Sequence, residues 1–397
     1  MSTITVKAHP PGGVVALLSW AHFLNDGAAN YLPGVLPAVL AALVLPIRDA
    51  GLIMGILIAF QALQPIAGVL ADQRGARFMI IAGLAGSSLG AAWIGWASSG
   101  AALVSALVLI GICNTILHPP ALAISRRVAA GRGEQATALF LVGGEIGRGA
   151  WPLFAGILVT TWGLHSLWVL SLAAIPTLPL LWLRVPHYAP ARSRLGAWRG
   201  VREAGRPLVM VIVYSALRST QAFGVTVFVP LLWHERGGSL AGGAGLITTM
   251  LVVGIVGNLG GASLARRWGK RPLVIAGSLA FTILLACFLL ASGIWLWITM
   301  ALLGIAVFGT LPLTVLMCQD QLPQQHSLAS GIGLGFSNAL GAGLVAILGL
   351  LAAVWGPQGV LWSFVASGAL AFLFSFALPS SAPSCPRQAS KQNPSNS

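Results

Sequence analysis

The stretch S-W-A-H-F-L-N-D, from Ser19 to Asp26, lies inside an apolar run that begins near Val14 and continues past Leu40. An apolar helix of about 20 residues crosses the roughly 30 Å hydrocarbon layer of a bilayer, and this run is long enough to do so. Asp26 lies near the middle of the run, where a carboxylate that faced lipid would be very costly. The run therefore predicts a membrane span with one side that faces protein or water.

The polar residues of this first span share one helical face. His22, Asp26 and Asn30 follow one another in steps of four residues, a spacing that aligns side chains along a helix. A polar stripe of this kind is typical of a span that lines a pathway, and intramembrane carboxylates are functional by default. We therefore predict that Asp26 carries a proton that His22 relays. The structural alternative is a buried Asp26 that only bridges two helices.

The composition is that of a membrane protein. Of the 397 residues, 57% are hydrophobic and 8% are charged, whereas a soluble domain carries about 25% charged residues. Apolar runs of about 20 residues, bounded by charges, Gly or Pro, predict membrane-spanning helices. The sequence contains twelve such runs, at residues 14–40, 50–71, 78–97, 101–124, 135–160, 164–183, 207–233, 242–264, 272–291, 294–317, 328–354 and 360–378. It thus predicts an all-α membrane protein with twelve transmembrane helices in a lipid bilayer.

The distribution of basic residues explains the net charge of +14. Loops on one side of the predicted spans contain 18 of the 22 Lys and Arg residues, whereas the opposite loops contain only Arg48 and Arg236. The other two, Arg148 and Arg218, fall inside predicted spans. Lys and Arg concentrate in the cytoplasmic loops of membrane proteins. We therefore expect an inner-membrane protein with both termini in the cytoplasm and no nucleic-acid partner.

A repeated turn divides the chain into two parts. The segment G-V-L-A-D-Q-R-G-A-R, from Gly68 to Arg77, follows the second span, and A-S-L-A-R-R-W-G-K-R, from Ala262 to Arg271, follows the eighth. Their offset is near half the chain length, which indicates two six-helix halves. We assign residues 1–183 to the first half, 184–206 to a basic cytoplasmic linker, 207–379 to the second half and 380–397 to a disordered tail.

Several motifs resemble those of a known family. Twelve spans with a G-x-x-x-D-x-x-G-x-R turn after the second, and a weaker copy after the eighth, resemble the major facilitator superfamily. Within it, the chain is similar over nearly its whole length to the fosmidomycin-resistance family of drug exporters. The motifs that carry this likeness are H-F-L-N-D at His22–Asp26, Q-P-I-A-G from Gln64, L-H-P at Leu117–Pro119 followed by Ser125 and Arg126, V-G-G from Val142, and L-A-S-G-I-G-L-G-F at Leu328–Phe336.

The resemblance implies a fold and a way of working. It implies a secondary transporter whose two halves rock around a central cavity, lined by spans 1, 4, 7 and 10. It also implies a conformational role for the turn residues Gly68, Asp72, Gly75 and Arg77. Cargo of the family, a phosphonate drug, suggests an anionic substrate.

Two departures from the family pattern limit the transfer of its substrate. Pro120 stands where the pattern has an acidic residue after His-Pro, and Glu145 and Arg148 stand where small or neutral polar residues are expected. These departures suggest that a coupling carboxylate has moved from the fourth span to the fifth.

The fourth span reads N-T-I-L-H-P-P-A-L-A-I-S-R-R, with Asn114, His118 and Arg126 at multiples of four residues. Pro119 and Pro120 remove two backbone donors, so we expect a kink between the ends of this helix. His118 takes up a proton, contacts a substrate, or is a structural histidine satisfied by a backbone carbonyl. Arg126 lies near the cytoplasmic end, either as a topology charge or facing the entrance of the cavity.

Charged residues in the fifth and seventh spans are further candidates. Glu145 and Arg148 are three residues apart, close enough to pair on a helix. A mutual ion pair is a sufficient structural role, but we place a functional role slightly ahead of it. Arg218 has no acidic partner in its own helix, so it pairs with an acid on another helix or binds an anionic ligand. Tyr214 and Gln221 share its helical face.

The predicted functional residues form three groups. The proton-coupling group is Asp26, His22 and Glu145; the substrate-binding group is Arg218, His118, Arg148, Tyr214, Gln221, Asn30 and Asn114; the conformational group is Asp72, Arg77, Gly68, Gly75, Arg126 and Asp320.

Three functions are compatible with these residues. The favoured one is a transporter that exports a small anionic or zwitterionic molecule in exchange for protons. A proton symporter that imports a small organic anion is the alternative, and no sequence feature opposes it. A membrane-embedded lipid-modifying enzyme is remote, because no paired carboxylates, Ser-His arrangement or metal-ligand spacing is visible. We expect a monomer that uses no metal or cofactor. The sequence has no Walker motif, so ATP drive is unsupported.

Overall fold

The structure is a computed structural model that describes residues 11–64, 66–67, 70, 76–129, 132–186, 197–323 and 326–379. Helices joined by short turns make up these ranges, and the described residues contain no strand. Three predicted conformational residues, part of the predicted linker and the predicted tail lie outside them, namely Gly68, Asp72, Gly75, 187–196 and 380–397.

The first six predicted spans contain seven α-helices and two short 3-10 segments. In chain order they are α1 Pro11–Asn30, α2 Leu32–Ala42, α3 Asp49–Ala59 with the 3-10 segment Phe60–Leu63, α4 Ala76–Ile94, α5 Gly100–Val128, α6 Gly133–Trp162, and the 3-10 segment Leu164–Ser171 followed by α7 Ala174–Arg184.

The last six predicted spans contain eight α-helices and one π-helical segment. They are α8 Ala197–Glu235, α9 Leu240–Trp268, α10 Lys270–Leu290, α11 Ile294–Gly309, α12 Leu311–Gln321, α13 His326–Ser330 with the π segment Gly331–Phe336, α14 Ser337–Gly349 and α15 Ala352–Ser375. Gly205 breaks α8 near its start, with a backbone φ of 54° that residues other than glycine rarely adopt.

Each predicted span is represented by helix, which confirms the all-α membrane fold. Nine helical spans in the described residues are long and apolar enough to cross a membrane, and some of them join two or more consecutive elements. The first span is instead divided at Tyr31, because Pro33 cannot donate to the backbone ladder of α1. The second changes to 3-10 geometry at Phe60. The fifth, α6, carries Glu145 and Arg148 at its centre.

The double proline of the fourth span does not end its helix. Helix α5 runs continuously from Gly100 to Val128 and includes both Pro119 and Pro120. The helix tolerates them because it is packed on several sides, against α1, α3, α4 and α6, and neighbouring helices can hold a proline-containing helix together.

Helix packing brings the candidate residues together. Helix α1 packs closely along α6 and also contacts α5, so the helices that carry Asp26, His118 and Arg148 are mutual neighbours. Helix α8, which carries Arg218, packs against α14 and α15. Contacts between the N-terminal and C-terminal helices are made by α6 with α9, by α3 with α14, and by α2 with α8 and α9.

Candidate functional site

Asp26 is the centre of a buried polar cluster between α1, α5 and α6. Its side chain is 2% exposed, and its oxygens face three neighbouring helical residues at close range. His118 Nε2 lies 2.9 Å from Oδ1, and Arg148 Nη2 lies 3.1 Å from Oδ2. Asn114 Nδ2 donates to Oδ1 at 3.4 Å. The predicted first-span carboxylate therefore meets residues of the fourth and fifth spans.

Two histidines face each other beside this carboxylate. His22 Nε2 lies 3.0 Å from His118 Nε2 and 3.4 Å from Asp26 Oδ2. The other ring nitrogens, Nδ1, contact backbone carbonyl oxygens: that of His22 lies 2.7 Å from Phe140 O, and that of His118 lies 2.6 Å from Asn114 O. The ring of His22 also stacks on that of Phe140, with centroids 4.1 Å apart. Both imidazoles are thus fixed in orientation.

Glycines of α6 create the space for His22. A Cβ atom at Gly144 would lie 2.3 Å from His22 Cε1. Cβ atoms at Gly143 and Gly147 would lie 2.4 Å and 2.1 Å from the backbone oxygens of Ser19 and Phe23. The V-G-G motif and Gly147 therefore let α6 approach the backbone of α1 closely, as small residues do at membrane helix interfaces.

Arg148 joins two carboxylates on different helices. Besides Asp26, its guanidinium contacts Glu145, with Nη1 3.3 Å from Oε1. The pairing of Glu145 with Arg148 expected from their spacing is therefore present. The side chains of Arg148 and His118 are 29% and 21% exposed, whereas Asp26 is sealed. Access to the cluster thus lies on the side of Arg148 and His118.

The spacing of this cluster raises the question of a metal ion. Ligand atoms of His22, Asp26 and His118 all lie within 4.8 Å of one another. Arg148 donates to one of the two carboxylate oxygens, however, and its positive charge opposes a divalent cation at the same place. We therefore assign no metal to these residues.

Arg218 is the second buried charge, on α8. Its side chain is 3% exposed, and Nη2 donates to Ser219 Oγ at 2.9 Å. Its Nε has no hydrogen-bond partner, and Arg218 makes no ion pair within the described parts of the chain. It lies near enough to Arg148 and Glu145 for their charges to act on it. A buried guanidinium with an unpartnered donor can bind an oxyanion.

A chain of hydrogen bonds links Arg218 to the N-terminal helices. Ser219 Oγ, which accepts from Arg218, donates to Asn338 Oδ1 at 2.7 Å. Asn338 Nδ2 in turn donates at 3.2 Å to Gln61 Oε1, in the 3-10 segment Phe60–Leu63. Neither Gln61 nor Ser219 is among the candidates predicted from the sequence. Their polarity within apolar spans is the signal that could have found them.

Three predicted substrate contacts are occupied by other partners. Tyr214 Oη lies 2.7 Å from Ser278 Oγ, and Gln221 Nε2 donates to Ser367 O at 3.4 Å. Asn30 Nδ2 donates to the backbone oxygen of Asp26 at 2.8 Å, and not to its carboxylate. The structure therefore does not bring these side chains to the Arg218 guanidinium or the Asp26 carboxylate by a direct hydrogen bond.

The described members of the predicted conformational group lie at helix ends. Arg77 donates to Trp182 O at 3.1 Å and stacks its guanidinium on the Trp182 ring. Asp320, on α12, pairs with Lys270 at the start of α10. Arg126 is exposed near the end of α5. These contacts hold neighbouring helix ends together.

Most of the sequence matches a known protein family. Residues 18–346 match the sequence profile of the Major Facilitator Superfamily. The chain belongs to the major facilitator superfamily. It is therefore a multi-pass membrane transporter and not an enzyme, which excludes the lipid-modifying alternative.

Two bacterial relatives extend along most of this transporter. It is 26% identical over 381 residues to YfnC, an MFS-type transporter of Bacillus subtilis (strain 168), covering 91% of this chain and 92% of that protein. It is 22% identical over 363 residues to the fosmidomycin resistance protein of Escherichia coli (strain K12), covering 88% of each. The likeness to the fosmidomycin-resistance family is thereby confirmed.

Solved structures share the fold of this transporter. An inward-facing, unoccupied bacterial homolog of the human lysosomal transporter Spinster has a TM-score of 0.80 at 17% identity, over 95% of this chain and 97% of that one. The nucleoside transporter NupG has a TM-score of 0.77 at 13% identity, over 93% and 99%. At these identities the likeness establishes the fold alone.

Proposed function

We propose that this transporter exports a small anionic or zwitterionic molecule from the cell, driven by protons that flow inward. The protein would lie in the cytoplasmic membrane with both termini in the cytoplasm. The fosmidomycin resistance protein is a relative of matching length, which supports export over import. The two buried charged groups, Arg218 and the Asp26 cluster, indicate the class of cargo.

The main support for this proposal is the buried guanidinium of Arg218. Its guanidinium is buried and has an unpartnered Nε, and no acidic side chain of the described residues pairs with it. An unpaired charge inside a membrane protein is costly and marks a ligand site by default. A carboxylate, phosphate or phosphonate accepts two parallel hydrogen bonds from a guanidinium, which would offset the cost.

Exchange against protons requires that cargo and proton compete. Glu145 is 15% exposed and lies within electrostatic range of Arg218. A zwitterion could place its acidic group on Arg218 and its cationic group towards Glu145, where it would compete with a proton in the Asp26 cluster. Reciprocal linkage then makes protonation release the cargo.

A proton symporter is the second candidate, and the same electrostatics favours it for a simple anion. A proton near Glu145 and Arg148 makes the region around Arg218 more positive. It therefore raises the affinity for an anion without a cationic group, so that the two would move together. The charge of the cargo thus decides between exchange and cotransport.

The first experiment identifies the class of cargo. Purified protein is heated with methylphosphonate and short carboxylates as anions, with amino acids as zwitterions, and with tetraphenylphosphonium as a lipophilic cation. A ligand that binds the folded protein raises the melting temperature by an amount that grows with the logarithm of its excess over its Kd. We expect stabilisation by anions or zwitterions. Stabilisation by the lipophilic cation alone would contradict the proposal.

The second experiment gives the direction of coupling. The stabilising compound is offered to inside-out vesicles whose interior is made acidic, in parallel with vesicles treated with a protonophore. An exchanger accumulates the compound only while the gradient lasts. Accumulation under the opposite gradient, with an acidic exterior, would instead establish the symporter. Accumulation that is equal with and without the proton gradient would exclude proton coupling.

A further inference from the structure

We propose that the coupling proton is held by the facing histidines, on Nε2 of His118, and that Asp26 is its permanently ionised partner. This inference rests on the proton coupling proposed above. It differs from the expectation that Asp26 itself carries the proton. The arrangement of hydrogen-bond donors and acceptors around the two rings is the basis for it.

The tautomers of both histidines follow from their Nδ1 partners. His22 Nδ1 lies 2.7 Å from Phe140 O, and His118 Nδ1 lies 2.6 Å from Asn114 O. A carbonyl oxygen can only accept a hydrogen bond, so each Nδ1 must carry a hydrogen. A neutral imidazole has one N–H. If both rings were neutral, both Nε2 atoms would therefore present lone pairs.

Two facing lone pairs do not match the observed distances. His22 Nε2 and His118 Nε2 are 3.0 Å apart, which is a hydrogen-bond distance. His118 Nε2 is also 2.9 Å from Asp26 Oδ1, an acceptor when the carboxylate is ionised. Three acceptors converge in this way only around a hydrogen or a metal cation, and the charge of Arg148 opposes a metal cation here. The cluster therefore holds one proton more than two neutral histidines carry.

The distances assign this proton to His118. With Nε2 protonated, His118 donates to Asp26 Oδ1 at 2.9 Å and shares the hydrogen with the lone pair of His22 Nε2 at 3.0 Å. Protonating His22 instead would leave an Nε2 lone pair of His118 against Asp26 Oδ1. His22 Nε2 is also the more distant from the carboxylate, at 3.4 Å. His118 is thus the better donor.

The charges that face the pair support a single proton. Asp26 and Glu145 are acidic and Arg148 is basic, so this group carries one negative charge when both histidines are neutral. One added proton brings the group to neutrality, the least costly state inside a membrane protein. Arg148 keeps Asp26 ionised by donating to Oδ2. A divalent metal ion would leave a net positive charge beside Arg218.

Release of the proton provides a link to conformation. When the proton passes from His118 Nε2 to water, both rings become neutral and three acceptors converge without a hydrogen. The side chain of His118 is 21% exposed and thus not enclosed by protein, which a route for the proton requires. The rings must then separate, which loosens the contact between α1 and α5. Proton occupancy is thereby coupled to helix packing.

Nitrogen NMR of the protein labelled with ¹⁵N-histidine, in bilayers at neutral pH, tests the inference. We expect one imidazole with both nitrogens protonated, whose Nε2 contacts the unprotonated Nε2 of a second imidazole. Within the described residues His22 and His118 are the histidines whose rings touch, so the contact identifies them in the parent protein. His118→Gln should remove both features. His165→Gln, at a ring that packs on Trp96 instead, should leave them.

Two results would overturn it. Unprotonated Nε2 atoms on both contacting rings would show that the proton is elsewhere. A response of these atoms to a metal chelator would show that a metal ion occupies their place. Because the spectrum needs no cargo, it is independent of transport. Failure of proton-driven accumulation in vesicles would remove the proposed function and leave the spectrum unchanged.

Discussion

Arg148 donates to Asp26 across the interface of α6 and α1, with Nη2 3.1 Å from Oδ2. The same guanidinium contacts Glu145 within α6. The Arg148 guanidinium is therefore shared by two carboxylates, of which Asp26 is buried and Glu145 is partly exposed. Loss of Arg148 and loss of Glu145 should then have unequal consequences.

Arg148→Gln should destabilise the protein more than Glu145→Gln. Without Arg148, two carboxylates lose their guanidinium partner, and removing one member of a buried pair costs about 3–5 kcal/mol. Without Glu145, Arg148 keeps Asp26, and we expect a loss of about 1 kcal/mol, as for a partly exposed pair. Denaturant titration in detergent measures the free energy of unfolding of both variants. Arg236→Gln, at an exposed arginine beyond α8, is the matched control.

The double variant Arg148→Gln, Glu145→Gln separates structure from function. It should be more stable than Arg148→Gln alone, because it leaves one unpaired carboxylate and not two. Proton-dependent transport that is lost in Glu145→Gln but returns in the double variant would show that Glu145 is only a structural partner. We expect transport to remain lost.

Asp26→Asn should uncouple transport from protons. An amide at this position is neutral, so the proton on His118 loses its anionic partner, while the shape of the cluster is kept. We expect vesicles with the variant to accumulate cargo no better than protein-free vesicles under a proton gradient. Cargo binding at Arg218, read as a shift in melting temperature, should persist. Gradient-driven transport at the parent rate would exclude an essential role for Asp26.

Gly144→Ala should disable the cluster without changing any charge. The added methyl carbon would lie 2.3 Å from His22 Cε1, so the imidazole must leave its place beside His118. Overpacking of this kind typically costs about 1–3 kcal/mol. Gly343→Ala is the matched control, since nothing lies within 4 Å of its added methyl. We expect proton-driven transport to fail in the first variant only. Equal transport by both variants would show that proton coupling does not need His22 in this position.

The fold and the polar face of the first span could be predicted from the sequence. Apolar runs predict spans because the bilayer fixes their length. Spacing of three or four residues predicts contacts within a helix, and it placed Glu145 beside Arg148 and His22 beside Asp26 correctly. Pattern alone could not show the conversion of Gly331–Phe336 to π geometry. That depends on how adjacent turns pack.

Contacts between helices could not be predicted from the sequence. The approaches of Asp26 to His118 and Arg148 depend on the rotation and register of three helices, set here by the close fit of Gly143 and Gly147 against α1. The same holds for Gln61 and Asn338, which are 277 positions apart. The shared arginine therefore had to be taken from the structure.

Gln61 and Asn338 should stabilise each other measurably. Their side-chain hydrogen bond at 3.2 Å joins the N-terminal helices to α14, and such bonds inside membrane proteins contribute about 0.6 kcal/mol. A double-mutant cycle of Gln61→Ala and Asn338→Ala should give a coupling of that size. A cycle of Gln61→Ala with Thr282→Ala is the control, because Thr282 donates to Ser278 O within α10. Additivity in both cycles would show that the bond contributes nothing.

Arg218 should distinguish its ligand by shape as well as by charge. Arg218→Lys keeps a positive charge but loses the planar fork that binds an oxyanion through two hydrogen bonds. Arg218→Ala removes both the charge and the donors, and loss of one partner of a buried charged contact costs about 2–5 kcal/mol, which is roughly 30-fold or more in Kd. We therefore expect the Kd of the stabilising anion or zwitterion to rise from parent to Lys to Ala.

Titration of the melting temperature against that compound measures each Kd. Arg236→Ala removes an equal charge from an exposed position after α8 and should leave the Kd unchanged. Truncation also leaves Ser219 without its donor from Arg218, so Arg218→Lys is the variant less disturbed in structure and its Kd is the more direct measure. A parent-like Kd in Arg218→Ala would mean that the guanidinium does not bind the cargo. Arg218 would then serve the hydrogen-bond chain to Asn338 alone.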